Sequence, residues 1–390
     1  MARGRGGFIG QDGLNAPDSP TGVSATAGDA QATVAFTAPT DVGGSAITGF
    51  RAQSNTGVGV SGSSSPITVT GLSNGTAYTF NVWAINAFGY SAPSDASTGV
   101  SPASVRALFG GGYTSGFQNS NVIQYVSIGS TGNSSDFGDL TLARSDLAAC
   151  SSAVYGVWAG GTSSDIIDYV TIASTGNASD WGDLETNTYG LAGCANSTRG
   201  LFGGGKTTNQ TNVIGYITFS STGNSSSFGD LTVVRFQLMA CASPTRGLFQ
   251  GGGEYPYLNI IDYVTISSTG NATDFGDLLS TLSLAGSCSS STRGIVGGGY
   301  TGSDVVSDVI QYTTISSTGN ATDFGDLTVA RYAVGSTSSN TRGLFAGGHN
   351  AQNTIDYITI ASTGNATDFG DLTTVIAETG GCSNAHGGLQ

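Results

Sequence analysis

The sequence predicts an all-β protein in which an N-terminal β-sandwich precedes a six-bladed β-propeller closed by the C-terminal strand. From Phe109 onward a motif of about fifty residues occurs six times, and each copy carries an aromatic residue followed by Gly-Asp-Leu. These aromatic residues are Phe137, Trp181, Phe228, Phe275, Phe324 and Phe369, 44 to 49 residues apart. A fixed period of this length is typical of repeated units that bury apolar surface only against one another.

Composition and charge exclude several classes of partner. The chain of 390 residues has a net charge of −14, only 10% charged residues and a single lysine, Lys206. Clustered cations, which bind nucleic-acid phosphates or anionic membranes, are missing. No apolar run reaches the length of a secretory signal or a membrane span. We therefore expect a soluble protein made in the cytoplasm, with no nucleic-acid partner and no membrane insertion.

The five cysteines occupy one position of the repeat. The fifth copy has Thr337 at this position, and the cysteines are Cys150, Cys194, Cys241, Cys288 and Cys382. One cysteine per copy, an odd total and no Cys-x-x-Cys spacing argue against a metal site or a disulfide framework. The pattern indicates small buried thiols on a strand.

The first hundred residues alternate apolar and polar residues in short runs separated by turn residues, which predicts a sandwich of about seven strands. Pro17 and Pro20 open this segment, and Leu72 precedes Tyr78 by six residues, as in a tyrosine corner. With these features the segment resembles fibronectin type III domains. Phe36 stands where that family usually has tryptophan.

Four strand-like runs recur in each later copy, and in the third they are 199–205, 213–219, 228–234 and 238–243. Four antiparallel strands per copy are typical of a propeller blade. A glycine doublet or triplet, a tyrosine on the next strand and then aromatic-x-x-Leu-x-x-x-Arg resemble kelch repeats. A longer Ser-Thr-Gly-Asn-x-x-Asp insertion departs from that family. The alternative WD40 repeat needs Gly-His and Trp-Asp pairs, and neither pair recurs in the six copies.

The first copy opens at Val105 without a cysteine strand, whereas residues 378–384 form a spare one. The C-terminus is therefore expected to complete the first blade and remove exposed strand edges. The predicted organisation is a docking arm at residues 1–16, a fibronectin type III domain at 17–103 and the propeller at 104–390.

Aspartates recur in the Gly-Asp-Leu motif, as Asp139, Asp183, Asp230, Asp277, Asp326 and Asp371. The motif partly resembles the Asp-box of sialidases, but the arginine cluster, tyrosine nucleophile and acidic partner of those enzymes are not apparent. We expect these aspartates to accept backbone N–H bonds in turns, and calcium binding by the loops is the alternative.

Other repeated polar residues also have structural interpretations. The asparagines of Asn-x-Ser/Thr are interpreted as hairpin residues, and the arginines of Arg-Gly-Leu-Phe as a repeated structural position. A copper centre like that of galactose oxidase needs several histidines, and the chain has only His349 and His386. We expect no cofactor, no metal and no catalytic residue.

The connection from the glycines to the tyrosine strand differs in every copy, and variable loops on a constant scaffold are where binding specificity usually lies. The candidate binding residues of these loops are Tyr113, Phe117, Lys206, Tyr255, Tyr257, Tyr300 and His349. They suit a glycan or a protein partner. The alternative is that these are ordinary solvent-exposed loops.

Taken whole, the Gly-Arg arm, the type III segment and the acidic propeller resemble virion structural proteins of tailed bacteriophages, particularly those of marine cyanophages. The resemblance implies a non-enzymatic tail fibre or capsid decoration, present in multiple copies on the virion and used for host-surface adhesion or assembly. The arm, with Arg3, Arg5, Phe8 and Ile9, would dock on a capsid or tail protein. The alternatives are a secreted carbohydrate-active enzyme and a glycan-binding lectin.

Overall fold

The computed structural model describes residues 15–116, 118–301, 305–349 and 352–389. The chain divides into two compact units, Met1–Ser104 and Val105–Gln390. Both are built from β-strands, and within the described ranges the only helical segment is a 3₁₀ turn at Gly387–Leu389. No helix found there has the length and hydropathy needed to cross a membrane. The predicted all-β class is thus confirmed.

The N-terminal unit contains seven strands in two antiparallel sheets, in agreement with the predicted number. The first sheet has the order Thr21–Gly28, Gln31–Thr37 and Ile67–Thr70. The second has the order Gly59–Gly62, Gly49–Ser54, Phe80–Asn86 and Gly89–Tyr90. Side chains from both sheets form a single buried core, as alternating strands of a sandwich require.

Two predicted details of this unit are present. The hydroxyl of Tyr78 accepts a hydrogen bond from the backbone N–H of Ser73 at 3.0 Å, which closes the tyrosine corner beside buried Leu72. Phe36 is buried, and its ring centroid lies 4.8 Å from that of Phe50. The phenylalanine therefore fills the core position that tryptophan usually fills.

Three serines, at every third position, hydrogen-bond to the strand Phe80–Asn86 of the second sheet. Ser91, Ser94 and Ser97 each donate a backbone N–H bond of 2.9 Å to the strand Phe80–Asn86. Their hydroxyls accept the N–H groups of Ala84, Val82 and Phe80 in turn, at 2.9 to 3.1 Å. The sheet edge is thereby covered by an extended segment with a period of three.

The C-terminal unit contains six four-stranded antiparallel sheets, numbered here from 1 to 6. In sheets 2 to 6 the four strands follow one another along the chain, whereas sheet 1 takes its first strand from the C-terminus. The first strands of sheets 1 to 6 are Gly380–Ser383, Ala148–Ser151, Ala192–Ala195, Met239–Ala242, Gly286–Ser289 and Gly335–Ser338. The second strands are Arg106–Gly110, Tyr155–Ala159, Arg199–Gly203, Arg246–Gln250, Arg293–Gly297 and Arg342–Ala346.

The two remaining strands of each sheet carry the tyrosine and the Gly-Asp-Leu aromatic residue. The third strands are Val122–Ser127, Ile166–Thr171, Val213–Thr218, Ile260–Thr265, Val309–Thr314 and Thr354–Thr359. The fourth strands are Ser135–Asp139, Ser179–Asp183, Ser226–Asp230, Thr273–Asp277, Thr322–Asp326 and Thr367–Asp371. Two short ladders also pair Leu282–Ser283 with Tyr300–Thr301, and Ile376–Ala377 with Tyr113–Thr114.

The predicted pairing of the C-terminal segment with the Arg-Ala-Leu-Phe strand is present, with Cys382 opposite Leu108. Two expectations for the third copy need correction. The strand predicted at 228–234 spans Ser226–Asp230, because a register shift in the third strand brings Gly229 opposite Ile214 and the ladder ends one residue later. The strand predicted at 238–243 is Met239–Ala242, and it pairs with the next copy's Arg246–Gln250.

First strands of consecutive sheets lie side by side, and serine hydroxyls bridge them. Ser151 donates to the carbonyl of Ser383 at 2.7 Å, and Ser383 donates to that of Ser338. Ser338 donates to Ser289 and Ser289 to Ala242, both at 2.7 Å. These bonds satisfy backbone groups that face a neighbouring sheet instead of a strand partner.

The cysteines are buried and free, as predicted. Each thiol packs against the glycine at the second position of the next second strand, which follows an arginine in four cases and Tyr155 in the case of Cys382. At Gly294, for example, a Cβ atom would lie 2.8 Å from the sulfur of Cys241. The pairing of a small side chain with glycine therefore sets how closely two sheets approach.

The asparagine of every Ser-Thr-Gly-Asn turn accepts a hydrogen bond from the sheet before it. The donor is the backbone N–H of the Gly-Asp-Leu aspartate, at 3.0 to 3.2 Å. The pairs are Asp139 with Asn177, Asp183 with Asn224, Asp230 with Asn271, Asp277 with Asn320, Asp326 with Asn365, and Asp371 with Asn133. The asparagines thus connect sheets, a role beyond the hairpin position that the sequence indicated.

The Arg-Gly-Leu-Phe arginines make a second repeated connection. Each guanidinium lies 4.5 to 4.9 Å from the ring centroid of a tyrosine on its own sheet. Each also donates to a carbonyl of the next sheet at 2.7 to 3.1 Å. In sheet 2, Tyr155 takes this position and packs edge-to-face on Tyr169 and Trp181. These contacts agree with the structural interpretation of the arginines.

A buried ion pair occurs at every second junction. Arg144, Arg235 and Arg331, which follow sheets 1, 3 and 5, pair with Asp168, Asp262 and Asp356 of the next sheet at 2.8 to 3.0 Å. After sheets 2, 4 and 6 the arginine position holds Thr188, Leu282 and Ile376, and the opposing aspartate is replaced by Gly215, Gln311 and Gln124. Each charge therefore meets its counter-charge and each neutral side chain meets a neutral one.

Candidate binding site at the loop end of the sheets

We call the loop end the side of the six sheets where the second strands finish and the first strands begin. Gly110, the last residue of one second strand, pairs with Gly380, the first residue of its neighbour. The variable connections to the third strands start there, so those candidate binding residues of the loops that the structure describes lie on this side.

Two positions before the start of each of the six first strands, a residue adopts a left-handed conformation. These six residues form the turn row at the loop end. The turn row consists of Asp146, Gly190, Gln237, Leu284, Ala333 and Glu378, with φ between 53° and 62°. Backbone N–H groups of the last five donate to the carbonyl of the preceding member at 2.6 to 3.1 Å. Because non-glycine residues adopt this conformation only when their surroundings impose it, the row is a rigid feature.

The turn row lines a cavity together with the residue that follows each member: Leu147, Leu191, Leu238, Ala285, Val334 and Thr379. Apolar side chains dominate this second set. Polar character comes from the turn row itself, through Asp146, Gln237 and Glu378. The accessible lining of the cavity is nevertheless more polar than apolar, unlike the mostly apolar pockets that bind drug-sized molecules.

Four candidate residues of the variable loops belong to one continuous series of rings, which we call the aromatic arc. Tyr255 contacts Tyr257 edge-to-face, with centroids 6.4 Å apart, and Tyr257 contacts Tyr300 at 6.2 Å. Tyr332 lies between Tyr300 and His349. Its ring centroid is 5.0 Å from that of Tyr300 and 4.7 Å from that of His349, on which it stacks with an interplanar angle of 17°. The arc thus spans the loops of sheets 4, 5 and 6.

Lys206 lies beside the start of the arc and is held from two sides. Its ammonium group forms an ion pair with Glu254, the residue before Tyr255. It also lies 5.3 Å from the ring centroid of Phe236, which itself contacts Tyr189 edge-to-face at 6.2 Å. The hydrogen bond from Lys206 lowers the pKa of the Glu254 carboxyl, so this carboxylate stays ionised at neutral pH.

The other end of the arc meets two carboxyl groups of the turn row. The Nε2 atom of His349 lies 3.3 Å from Oε1 of Glu378. Burial and, to a lesser extent, the negative charge of Glu378 together raise the pKa of Asp146 to about 7, against the opposing effect of His349. The two carboxyl groups are therefore close enough for their charges to interact, and Asp146 is partly protonated at neutral pH.

One further described candidate, Tyr113, also lies at the loop end. Tyr113 pairs through its backbone with Ala377, which places it beside Glu378 at the loop end. Phe117 lies outside the described residues, as do Arg3, Arg5, Phe8 and Ile9 of the arm.

Sequence reasoning missed Tyr332, Phe236 and Tyr189, together with the carboxyl groups of Asp146 and Glu378. Each aromatic residue immediately precedes a member of the turn row, a position occupied by serine or alanine in the other three copies. Aligning the copies on their first strands would have found them. The prediction considered only the loops that vary in length.

The motif aspartates differ from expectation in the groups they use. Their recurring hydrogen bonds run through the backbone: Asp277, for example, donates its N–H to Asn320 and accepts from the N–H of Ala321 at 2.8 Å. In the described ranges no three His, Cys, Asp or Glu side chains come together in a group able to hold a metal. Buried His386, with its pKa lowered by desolvation, lies with Nε2 2.9 Å from the carbonyl of Ser151.

Residues 18–100 match the family model of the fibronectin type III domain. This part of the chain is a fibronectin type III domain. The type III domain covers most of the N-terminal unit, including the tyrosine corner and the serine-edged second sheet. Comparison of the chain with curated proteins finds no match.

Proposed function

We propose that the six sheets form a closed, six-bladed, kelch-like β-propeller. The contacts between sheets 6 and 1 support this closure, because each type of contact also occurs at other junctions. Asp371 donates to Asn133, Arg342 donates to the carbonyl of Ile128, and Ser383 donates to Ser338. The indole N–H of Trp158 also donates to the carbonyl of Gly380 at 2.9 Å and ties the C-terminal strand to sheet 2.

A crystal structure of the purified chain tests the closure directly. We expect six sheets about one axis, with Gly380–Ser383 beside Arg106–Gly110. An open, superhelical stack in which sheet 1 lacks its first strand would contradict the proposal.

On this scaffold we propose a non-enzymatic structural protein of a virion, which docks through residues 1–16 and displays the propeller for adhesion or assembly. The observation that carries the binding part is the aromatic arc, in which side chains from three different loops and Tyr332 come together at one end of a repeated frame. Such a division between constant scaffold and variable loops is typical of recognition proteins. The docking part of the proposal rests on the resemblance of the arm, and of the chain as a whole, to virion structural proteins of tailed bacteriophages.

Deletion of residues 1–14 tests docking and keeps Asn15, which hydrogen-bonds with Gly43 and Asn86 of the type III domain. We expect particles assembled with the truncated chain to lack it, while the purified truncated chain keeps the thermal unfolding of the full chain. The paired substitutions Arg3→Ala and Arg5→Ala, compared with Phe8→Ala, separate charge from apolar contact in the arm. Undiminished incorporation of the truncated chain would refute the docking role.

A carbohydrate-active enzyme is the second candidate, and the pair of Asp146 and Glu378 favours it. Glycoside hydrolysis uses two carboxyl groups, one of which must be protonated near neutral pH, and a pKa of about 7 for Asp146 meets that requirement. Incubating the full chain with oligosaccharides distinguishes the two functions. Turnover that is abolished by Asp146→Asn would establish the enzyme, whereas binding without turnover favours the display protein.

A further inference from the structure

The loop end presents aromatic faces whose positions are fixed before any ligand arrives. Tyr255 is 76% exposed, while Tyr257, Tyr300 and Tyr332 are partly buried between their ring neighbours. Edge-to-face contacts with interplanar angles of 81°, 86° and 66° hold successive rings, and each contact covers an edge of one ring and one face of its neighbour. Every ring has a second face, and Tyr255, the most exposed of these tyrosines, offers the largest accessible surface to a ligand. Rings held in this way lose little conformational entropy on binding.

Aromatic faces of this kind favour the apolar side of a sugar ring. The face of an aromatic ring carries negative charge density, and the C–H bonds on one side of a pyranose are weakly positive, so the two stack. Sugar hydroxyls also need acceptors close to the stacking surface. The carboxylates of Glu254 and Glu378 and the His349 imidazole lie at the two ends of the arc, within the same surface.

The carboxylates around the aromatic arc favour uncharged sugars over acidic ones. Carboxylates adjoin the arc at both ends, through Glu254 beside Tyr255 and Glu378 beside His349. The Lys206 ammonium is held by Glu254, and the chain as a whole carries a net charge of −14. An acidic sugar would bring a further negative charge to this surface and meet no unpaired cation among the residues of the arc, so its binding is opposed.

We propose that the aromatic arc binds uncharged oligosaccharides and discriminates against sialylated or uronic-acid glycans. The inference rests on the proposed display function and specifies the ligand of its binding surface. Exposed Tyr255 and partly buried Tyr257 form the stacking surface, and Tyr332 and His349 close the arc next to the turn-row cavity.

Binding of the purified full chain to an array of neutral and acidic oligosaccharides tests the proposal, followed by titration of the best neutral oligosaccharide. We expect neutral glycans to bind and their sialylated or uronate counterparts to bind at least tenfold more weakly. Double substitution Tyr255→Ala and Tyr257→Ala should weaken binding about tenfold, the loss expected for a stacked ring pair, and Tyr255→Phe should keep it.

Tyr90→Ala is the matched control, because Tyr90 is 56% exposed but belongs to the type III domain. This variant should bind as the unsubstituted chain does. Equal binding of acidic and neutral glycans, unchanged affinity in the Tyr255 and Tyr257 double variant, or binding of no glycan would each overturn the proposal. Since the arm is intact in every variant, incorporation into particles tests the display function independently of this result.

Discussion

Arg331 and Asp356 form an ion pair of 2.9 Å between sheets 5 and 6, and both side chains are completely buried. The arginine also donates to the carbonyls of Thr354 and Phe345 at 3.0 and 3.1 Å. The carboxylate of Asp356 also accepts hydrogen bonds from the backbone N–H and the hydroxyl of Thr328, at 3.1 and 2.7 Å. Desolvation lowers the pKa of the guanidinium, and the adjacent carboxylate opposes this shift.

The first prediction concerns this pair. Asp356→Asn leaves a buried guanidinium without its counter-charge and should reduce the free energy of unfolding by about 3–5 kcal/mol. The double variant Arg331→Leu and Asp356→Gln reproduces the neutral junction of Leu282 and Gln311 and should recover most of that loss. Urea denaturation followed by circular dichroism measures both. Equal stabilities of the single and double variants would show that the charge is not the cause.

The second prediction concerns Gly276, which has φ 146°. A Cβ atom there would lie 2.6 Å from the carbonyl carbon and oxygen of Gly319 in the next sheet. We expect Gly276→Ala to destabilise the C-terminal unit by about 1–3 kcal/mol through overpacking. Gly270→Ala is the control in the same sheet, because open space surrounds that position. If the control variant were as unstable as Gly276→Ala, the loss of glycine's backbone freedom would explain both results, and the close approach of two sheets would not be the cause.

The third prediction concerns the buried thiols and pH. Burial raises the pKa of Cys241 to about 11 and raises those of the other four cysteines. Above the ordinary thiol pKa of 9.0 the unfolded chain loses protons that the folded chain retains, so stability is complete below pH 9 and falls as the pH rises. Each thiol contributes a slope of about 1.4 kcal/mol per pH unit in this range.

Thermal unfolding between pH 8 and pH 10.5 measures this slope. The variant Cys288→Thr copies Thr337, the residue that the remaining copy has at this position, and should remove one thiol's share of the slope. In addition, a thiol reagent at pH 8 should modify the cysteines only after denaturant is added. Rapid modification of the native chain would contradict their burial.

The fourth prediction is confined to the type III domain. Tyr78→Phe removes the hydroxyl that accepts the Ser73 N–H and should destabilise this domain by about 1 kcal/mol. Hydrogen exchange on the intact chain should speed up at Phe80, Val82 and Ala84, whose N–H groups bond to the serine edge. Exchange in the C-terminal unit serves as the internal control and should stay unchanged. Faster exchange in both units would mean that the effect is not local.

Strand positions were predictable because they repeat. The aromatic residue of each Gly-Asp-Leu motif packs edge-to-face on the tyrosine of its own third strand, with centroids 5.1 to 6.0 Å apart, and this pair leaves a signal in all six copies. The contacts between sheets were less visible. Asn320 and Asp277 are 43 residues apart, and nothing in a single hairpin indicates that one reaches the other.

Only some residues of the candidate site were predictable, because contacts between distant parts of the chain leave no signal in a single copy. Tyr255, Tyr257, Tyr300 and His349 stood out because their loops vary. Tyr332 joins two of them, yet it lies in a segment of constant length and resembles an ordinary core residue in the sequence. The left-handed turn row was hidden too, because only Gly190 among its six members is glycine.

Sheet 1 combines the strand Arg106–Gly110 with Gly380–Ser383, two segments separated by most of the C-terminal unit. During synthesis, sheets 2 to 6 can each assemble as soon as their own residues leave the ribosome, but sheet 1 waits until Gly380–Ser383 has been made. Until then the edge of Arg106–Gly110 has no permanent partner and is open to pairing with a neighbouring nascent chain. Slow translation of the preceding five sheets therefore lengthens the interval during which polysome-bound copies are at risk of strand exchange.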